Sequence, residues 1–435
     1  MIKMNKSLSL LAAAALLLCG CGQNRDQILK VYNWSDYIDE SVIPEFEQWY
    51  EEQTGEKVRV IYQTFDVNET MLSKIEKGHE DYDVVCPSDY IIERMLAQDL
   101  LLPVSRDFGS TPNYIDDNLS PYIRSCFDKI VGHGKNANDY AVGYMWGTTG
   151  IMYNTKYVTA EEASSWDILR NPKFADKIFI KDSARDVFSQ IILFLRQDDI
   201  KSGKVTMDEL MLDSSDKALA DVENFMQQVR PLVAGWEADF GKDQMTQERG
   251  WISLNWSGDG VWAAEEAAEM GVDLQFSLPK EGFTVWFDGW VIPKYAQNTK
   301  AARYWINFMS RPDIVIRNVE ETGYVSCSGA AEVMEAFTDE EFEPIDLSYF
   351  FGEGAEAVCA NPVLYPDRAD IERSTQEHDW GDRTPELIAM WGRVKGENAN
   401  AMTGIVIGVV LAAALAFAIY KRLSDRRRKT SRRRK

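Results

Sequence analysis

Histidine is nearly absent from this 435-residue chain, with three copies at His79, His133 and His378. They stand far apart, and no Cys-x-x-Cys pair accompanies them, so a zinc site of the usual kind is excluded. No metal and no cofactor are expected. The Gly-x-Ser-x-Gly and His-Glu-x-x-His signatures are also missing, which argues against hydrolysis. Six cysteines, Cys19, Cys21, Cys86, Cys126, Cys327 and Cys359, have spacings that suggest no disulfide framework. Internal repeats are absent, and the only biased segment is a basic tail. Positive charge is scarce elsewhere: 47 Lys and Arg face 69 Asp and Glu, a formal net charge of −22. The tail from Lys421 carries ten basic residues and Asp425, a net +9, which leaves residues 1–420 at −31. Such a domain repels nucleic acid and attracts cations.

What is present suits a folded chain. Hydrophobic residues make up 45% of the chain and aromatics 11%, enough for sizeable cores, and the length suits two lobes. The N-terminus reads as an export signal over residues 1–20, with Lys3 and Lys6 ahead of an apolar run at 8–18. It ends in Leu18-Cys19-Gly20-Cys21, which resembles the lipobox of bacterial lipoproteins and makes Cys21 the expected lipidation site. Residues 402–420 carry no charge and, as a helix, would span about 28 Å, close to a bilayer core. The basic tail 421–435 follows directly and is expected in the cytoplasm. The large domain is therefore expected outside the cell membrane, anchored to it.

Strands are expected at 28–33, 57–62 and 83–86, with helices at 41–53, 69–77 and 90–98 between and after them. That order implies a parallel sheet, whose ligands bind beyond the carboxyl ends of the strands. Residues 140–150 read as a Gly-rich crossover into a second lobe. There, strands are expected at 151–154, 177–180, 251–256, 273–278 and 284–287. Helices are expected at 185–196, 215–230 and 260–270. Residues 290–293 are expected to return the chain, and 341–395 to be helix-rich. The lobes are thus expected at 27–145 with 289–338, and at 146–288 with 339–395.

Several predicted strand ends carry a carboxylate, and three also carry a tryptophan. They are Trp34-Ser35-Asp36-Tyr37, Asp182-Ser183-Ala184-Arg185-Asp186, Trp256-Ser257-Gly258-Asp259 and Trp286-Phe287-Asp288-Gly289. Each carboxylate alone is explained as a helix cap or helix-start charge. Together they suit an organic cation, which needs counter-charges and flat π-faces.

These motifs, with Asn68-Glu-Thr-Met71, Tyr82-Asp-Val-Val85, Pro87-Ser88, Ile292-Pro293, Ile306-Asn-Phe308, Arg311-Pro-Asp313 and Thr322-Gly-Tyr324, resemble the bacterial spermidine/putrescine-binding proteins of ABC importers. The resemblance runs from about Leu29 to Lys395. It implies an α/β, two-lobe, type II periplasmic-binding-protein fold that closes on its ligand. Permease subunits of an ABC transporter are the implied protein partner. It also implies an aromatic box of Trp34, Tyr37, Trp256, Trp286 and Tyr324. Asp36, Asp186, Asp259 and Asp288 would meet the ammonium groups, and Ser35, Ser88 and Tyr90 would add hydrogen bonds. Ser183 and Gly381 stand where spermidine-preferring members place a carboxylate and an amide. Ser35-Asp36 and Trp256-x-Gly-Asp259 look like putrescine-preferring members, whereas Trp286 looks like the spermidine type. Putrescine is therefore the leading ligand, with spermidine tolerated. The expected role is an extracytoplasmic polyamine receptor. The competing readings are a membrane-anchored polyamine sensor and a carboxylate-dependent glycoside hydrolase.

Overall fold

The structure, a computed structural model, describes residues 25–237 and 241–396. The export segment 1–20, Cys21, the apolar run 402–420 and the tail 421–435 lie outside the described residues. Among those described, no helix is long and apolar enough to cross a membrane.

The first half begins with β1 (Ile28–Trp34), α1 (Val42–Thr54), β2 (Arg59–Phe65), α2 (Asn68–Glu76), β3 (Val84–Val85) and α3 (Asp89–Ala97). Next come β4 (Ala141–Asn154), β5 (Ile178–Lys181), α4 (Ala184–Leu195), α5 (Asp216–Val229), β6 (Val233–Glu237), β7 (Ile252–Trp256) and α6 (Ser257–Glu269). The chain closes through β8 (Leu274–Ser277), β9 (Phe283–Pro293), α7 (Thr299–Met309), α8 (Pro312–Thr322), β10 (Val325–Ser326), β11 (Ser374–Gln376) and α9 (Thr384–Lys395). One sheet runs in the order β2-β1-β3-β9-β4-β7-β5-β6, with β8 and β10 also on β4 and β11 on β9. Both wings are parallel: β1 with β2 and β3, and β5 with β6 and β7. The central pair, β4 and β9, is antiparallel and joins the wings.

The segments read from sequence as a crossover followed by a strand are one 14-residue strand, β4. Likewise 284–287 and 290–293 are one 11-residue strand, β9. Glycine explains the misreading, because here it provides close approach rather than a break. A Cβ on Gly147 would lie 2.5 Å from the Trp286 ring, and one on Gly150 equally close to Phe276. Register shifts at Asp288/Gly289, leaving Tyr144 unpaired in a bulge. The expectation of a helix-rich 341–395 is also corrected. That region mixes two four-residue helices with short strands at Pro344–Ile345, Val358–Cys359 and Ser374–Gln376 before α9.

Helix α1 shows how the first wing is packed. Val42, Phe46, Trp49 and Tyr50 recur on one face and are buried, while Gly55 at φ 71° ends the helix. Phe46 packs edge-on against Trp305 at 5.0 Å and near Phe308 at 5.5 Å, both on α7. Each such ring pair contributes about 1 kcal/mol beyond its burial. The carboxylate of Asp83, fully buried, accepts from the backbone N–H of Lys30, Gln297 and Asn298 and pairs with Arg25. It thereby ties β1 to the start of α7.

Candidate functional site

The turn after β1 is held from three directions. Asn33 Nδ2 and the Tyr144 hydroxyl donate to the Tyr37 carbonyl at 3.3 and 2.8 Å. Asp39 N donates to Asn318 Oδ1 on α8 at 2.9 Å, and Arg317 pairs with the Asp39 carboxylate. Tyr37 is thus buried in a fixed pose. Its hydroxyl donates to Asp288 Oδ2 at 2.8 Å, and Ser88 at the start of α3 donates to Asp288 Oδ1 at 2.7 Å. Ser88 in turn accepts from Asn68 Nδ2, which also donates to the Tyr90 hydroxyl.

Asp288 sits at the β-bulge and is 5% exposed. Burial raises its carboxyl to about 6, and the field of Asp186 adds to the rise against its two hydroxyl donors. Asp186, also buried, accepts from Thr149 Oγ1 at 2.9 Å and from Trp256 Nε1 at 3.2 Å. Two more buried carboxyls adjoin this pair. Burial pushes Asp89 up to about 8, and burial with the field of Asp186 pushes Glu377 well above the usual carboxyl range. Arg185, wedged between the rings of Tyr90 and Trp380, is the nearby cation.

Asp259 lies in the first turn of α6 and is differently placed. The Lys181 ammonium, at the end of β5, meets Asp259 Oδ2 at 2.6 Å and Glu237 Oε1 at 3.6 Å. It also lies 4.2 Å above the Trp256 ring. Lys242 stands 3.8 Å from Asp259 Oδ1, and the Tyr324 hydroxyl donates to that oxygen at 3.0 Å. Burial opposes ionisation of Asp259, but Lys181 and Lys242 outweigh it and hold the carboxyl below its usual range. The aromatic wall is continuous: Trp256 to Trp286 at 6.2 Å, Trp286 to Tyr324 at 5.6 Å and Tyr324 to Tyr37 at 5.3 Å. Gly258 makes room for it, since a Cβ there would lie 2.3 Å from the Tyr324 ring.

A fixed aromatic wall over buried carboxylates is an arrangement suited to holding an organic cation. A profile of the family described as bacterial extracellular solute-binding protein matches residues 46–343. The chain belongs to that family. The chain is 29% identical over 347 residues to the putrescine-binding periplasmic protein of Escherichia coli strain K12, covering 76% of this chain and 87% of the relative. The spermidine/putrescine-binding periplasmic protein of Salmonella typhimurium is 28% identical over 378 residues, 86% of this chain and 93% of its own. Among solved structures, the spermidine/putrescine ABC transporter substrate-binding protein of Streptococcus pneumoniae aligns with a TM-score of 0.61. Its identity is 27%, and the match covers 85% of this chain and 98% of that one. The fold is accordingly the α/β fold of periplasmic binding proteins.

Within this solute-binding protein, Tyr37, Ser88, Tyr90, Asp186, Trp256, Asp259, Trp286, Asp288 and Tyr324 form one connected network. Trp34 borders it, half-buried against Phe65 at 4.6 Å, with its buried indole N–H lacking an acceptor among the described residues. Ser35 and Asp36 stay outside. Both are exposed; Ser35 donates to Asp66 at 2.7 Å, and Asp36 occupies a left-handed turn at φ 51°. Ser183 caps α4, accepting from Asp186 N. Sequence reasoning missed Lys181, Glu237 and Glu377 and left Asp89 aside. Lys181 ends an otherwise apolar strand, Ile178-Phe179-Ile180, where a lysine ordinarily reaches solvent. That all four positions are buried was the missing signal.

Proposed function

We propose that this solute-binding protein is the extracytoplasmic receptor for a linear aliphatic polyamine of the putrescine and spermidine class, handing it to the permease of an ABC importer. The observation that carries the reading is Asp288. It is a buried carboxylate whose donors among the described residues are both hydroxyls, in the field of Asp186 and beside a wall of four aromatic rings. An ammonium placed between these carboxylates supplies the counter-charge that burial leaves wanting, and the rings take the methylene chain. The names of the relatives, putrescine-binding and spermidine/putrescine-binding, support the same class. The protein acts by binding, not by catalysis. Residues 27–145 with 289–338 form one lobe, 146–288 with 339–395 the other, and closure about β4 and β9 is driven by ligand contacts made in the closed state. Cys21 and residues 402–420 serve as membrane anchors, with the basic tail 421–435 in the cytoplasm. Calorimetric titration of the purified chain with putrescine and spermidine tests the reading. Saturable heat with either supports it; no heat with both refutes it.

A further inference from the structure

The two ends of the aromatic wall differ in charge, and the difference has a consequence for the ligand. At one end, Asp186 and Asp288 hold no lysine or arginine in hydrogen-bonding contact among the described residues; their donors are Tyr37, Ser88, Thr149 and the Trp256 indole. At the Asp259 end the counter-charge is already built in. Lys181 is 1% exposed; its ammonium lies on the Trp256 face and touches Asp259 at 2.6 Å, with Lys242 on the other oxygen. Among the described residues, Lys181 and Lys242 offset the charges of Asp259 and Glu237. A ligand ammonium arriving there would find the π-face and the carboxylate occupied by a like charge.

The geometry points to Lys181 as the specificity-determining residue: it takes the place of one ligand ammonium, so the site reads a single ammonium at the Asp186–Asp288 end and accepts an uncharged polar group at the other. The ligand class is an aliphatic amine whose far end carries no charge, as in a mono-N-acylated diamine. The Trp286 indole N–H, buried without an acceptor among the described residues and 6.2 Å ring to ring from Trp256, provides a donor for an amide oxygen. The inference rests on the polyamine reading and narrows it.

Calorimetric titration of the full-length chain in detergent with putrescine and N-acetylputrescine tests it, alongside Lys181→Gln. The wild-type chain is expected to bind N-acetylputrescine at least as tightly as putrescine. In Lys181→Gln, Asp259 regains its demand for a cation, and putrescine is expected to gain about tenfold over its acetylated form. Wild-type binding of N-acetylputrescine weaker than putrescine by about threefold or more would overturn the inference while leaving the polyamine reading intact. Failure of both amines to bind the wild type would overturn the inference, and failure of spermidine as well would overturn the polyamine reading with it. Should the variant not fold, the wild-type comparison alone decides.

Discussion

If an ammonium sits between Asp186 and Asp288, amine affinity must follow the ionisation of Asp288. Its carboxyl rises from 3.8 to about 6 in the folded, ligand-free chain. A shift of roughly two units means that the folded environment penalises the ionised form by about 3 kcal/mol relative to the unfolded chain. The folded pKa is raised, so the protonated form favours folding. That contribution is complete below about 4 and is lost as pH climbs through about 6. A bound cation reverses the balance, because it stabilises the carboxylate and drives proton release. Aliphatic amines stay protonated throughout this range, so the protein alone sets the profile. The charged and titratable groups around Asp288 are Asp186, Asp89, Tyr37, Tyr144, Cys86 and Cys327. None of these supplies positive charge; the nearby Arg185 guanidinium lies against the Tyr90 and Trp380 rings. Affinity is therefore expected to rise about tenfold between pH 5 and pH 7, as Asp288 passes from mostly protonated to mostly ionised. Calorimetry in buffers of differing ionisation heat also reads the protons released. Asp288→Asn is expected to weaken binding by more than about 1.4 kcal/mol and to flatten the profile. Affinity that is constant from pH 5 to 7 in the wild type would refute the placement of the ammonium at Asp288.

Three other outcomes follow from the geometry. Gly258→Ala should drive the Tyr324 ring off Asp259, lowering stability by about 1–3 kcal/mol in denaturant unfolding and weakening ligand binding with it. Lys181→Ala should cost about 3–5 kcal/mol of folding stability, because it strands a buried Asp259 carboxylate; urea titration measures the loss. Asp259 titrates below its usual 3.8, so its pair contributes stability above that pH and loses it as pH falls further. The gap in melting temperature between wild type and Asp259→Asn should accordingly narrow on acidification below about 4.

Much of this site was legible because chemistry-bearing residues sit where strand pattern breaks. Trp256-Ser-Gly-Asp259 ends β7 and begins α6, and Ser88 follows the short β3, as their spacing predicts. The central strands were harder. Glycines inside β4 look like punctuation, but Gly147 and Gly150 admit the Trp286 and Phe276 rings against the backbone, a reason visible only in three dimensions. Lys181 was hidden for the opposite cause: at a strand end its local sequence is ordinary, and only the burial of Asp259 and Glu237 beside it makes it a resident cation. Asp36 carried the most suggestive neighbours in the chain, yet the left-handed turn after β1 leaves it exposed while Tyr37 enters the network.

The central claim is that a polyamine is the ligand, and a thermal-shift screen of the purified full-length chain tests it most directly. Putrescine, spermidine and N-acetylputrescine are compared with amino acids and sugars under one buffer condition. The account predicts a concentration-dependent rise in melting temperature with the aliphatic amines alone, since only a ligand of the folded state shifts the transition. A rise with a sugar or an amino acid, and none with any amine, would contradict it.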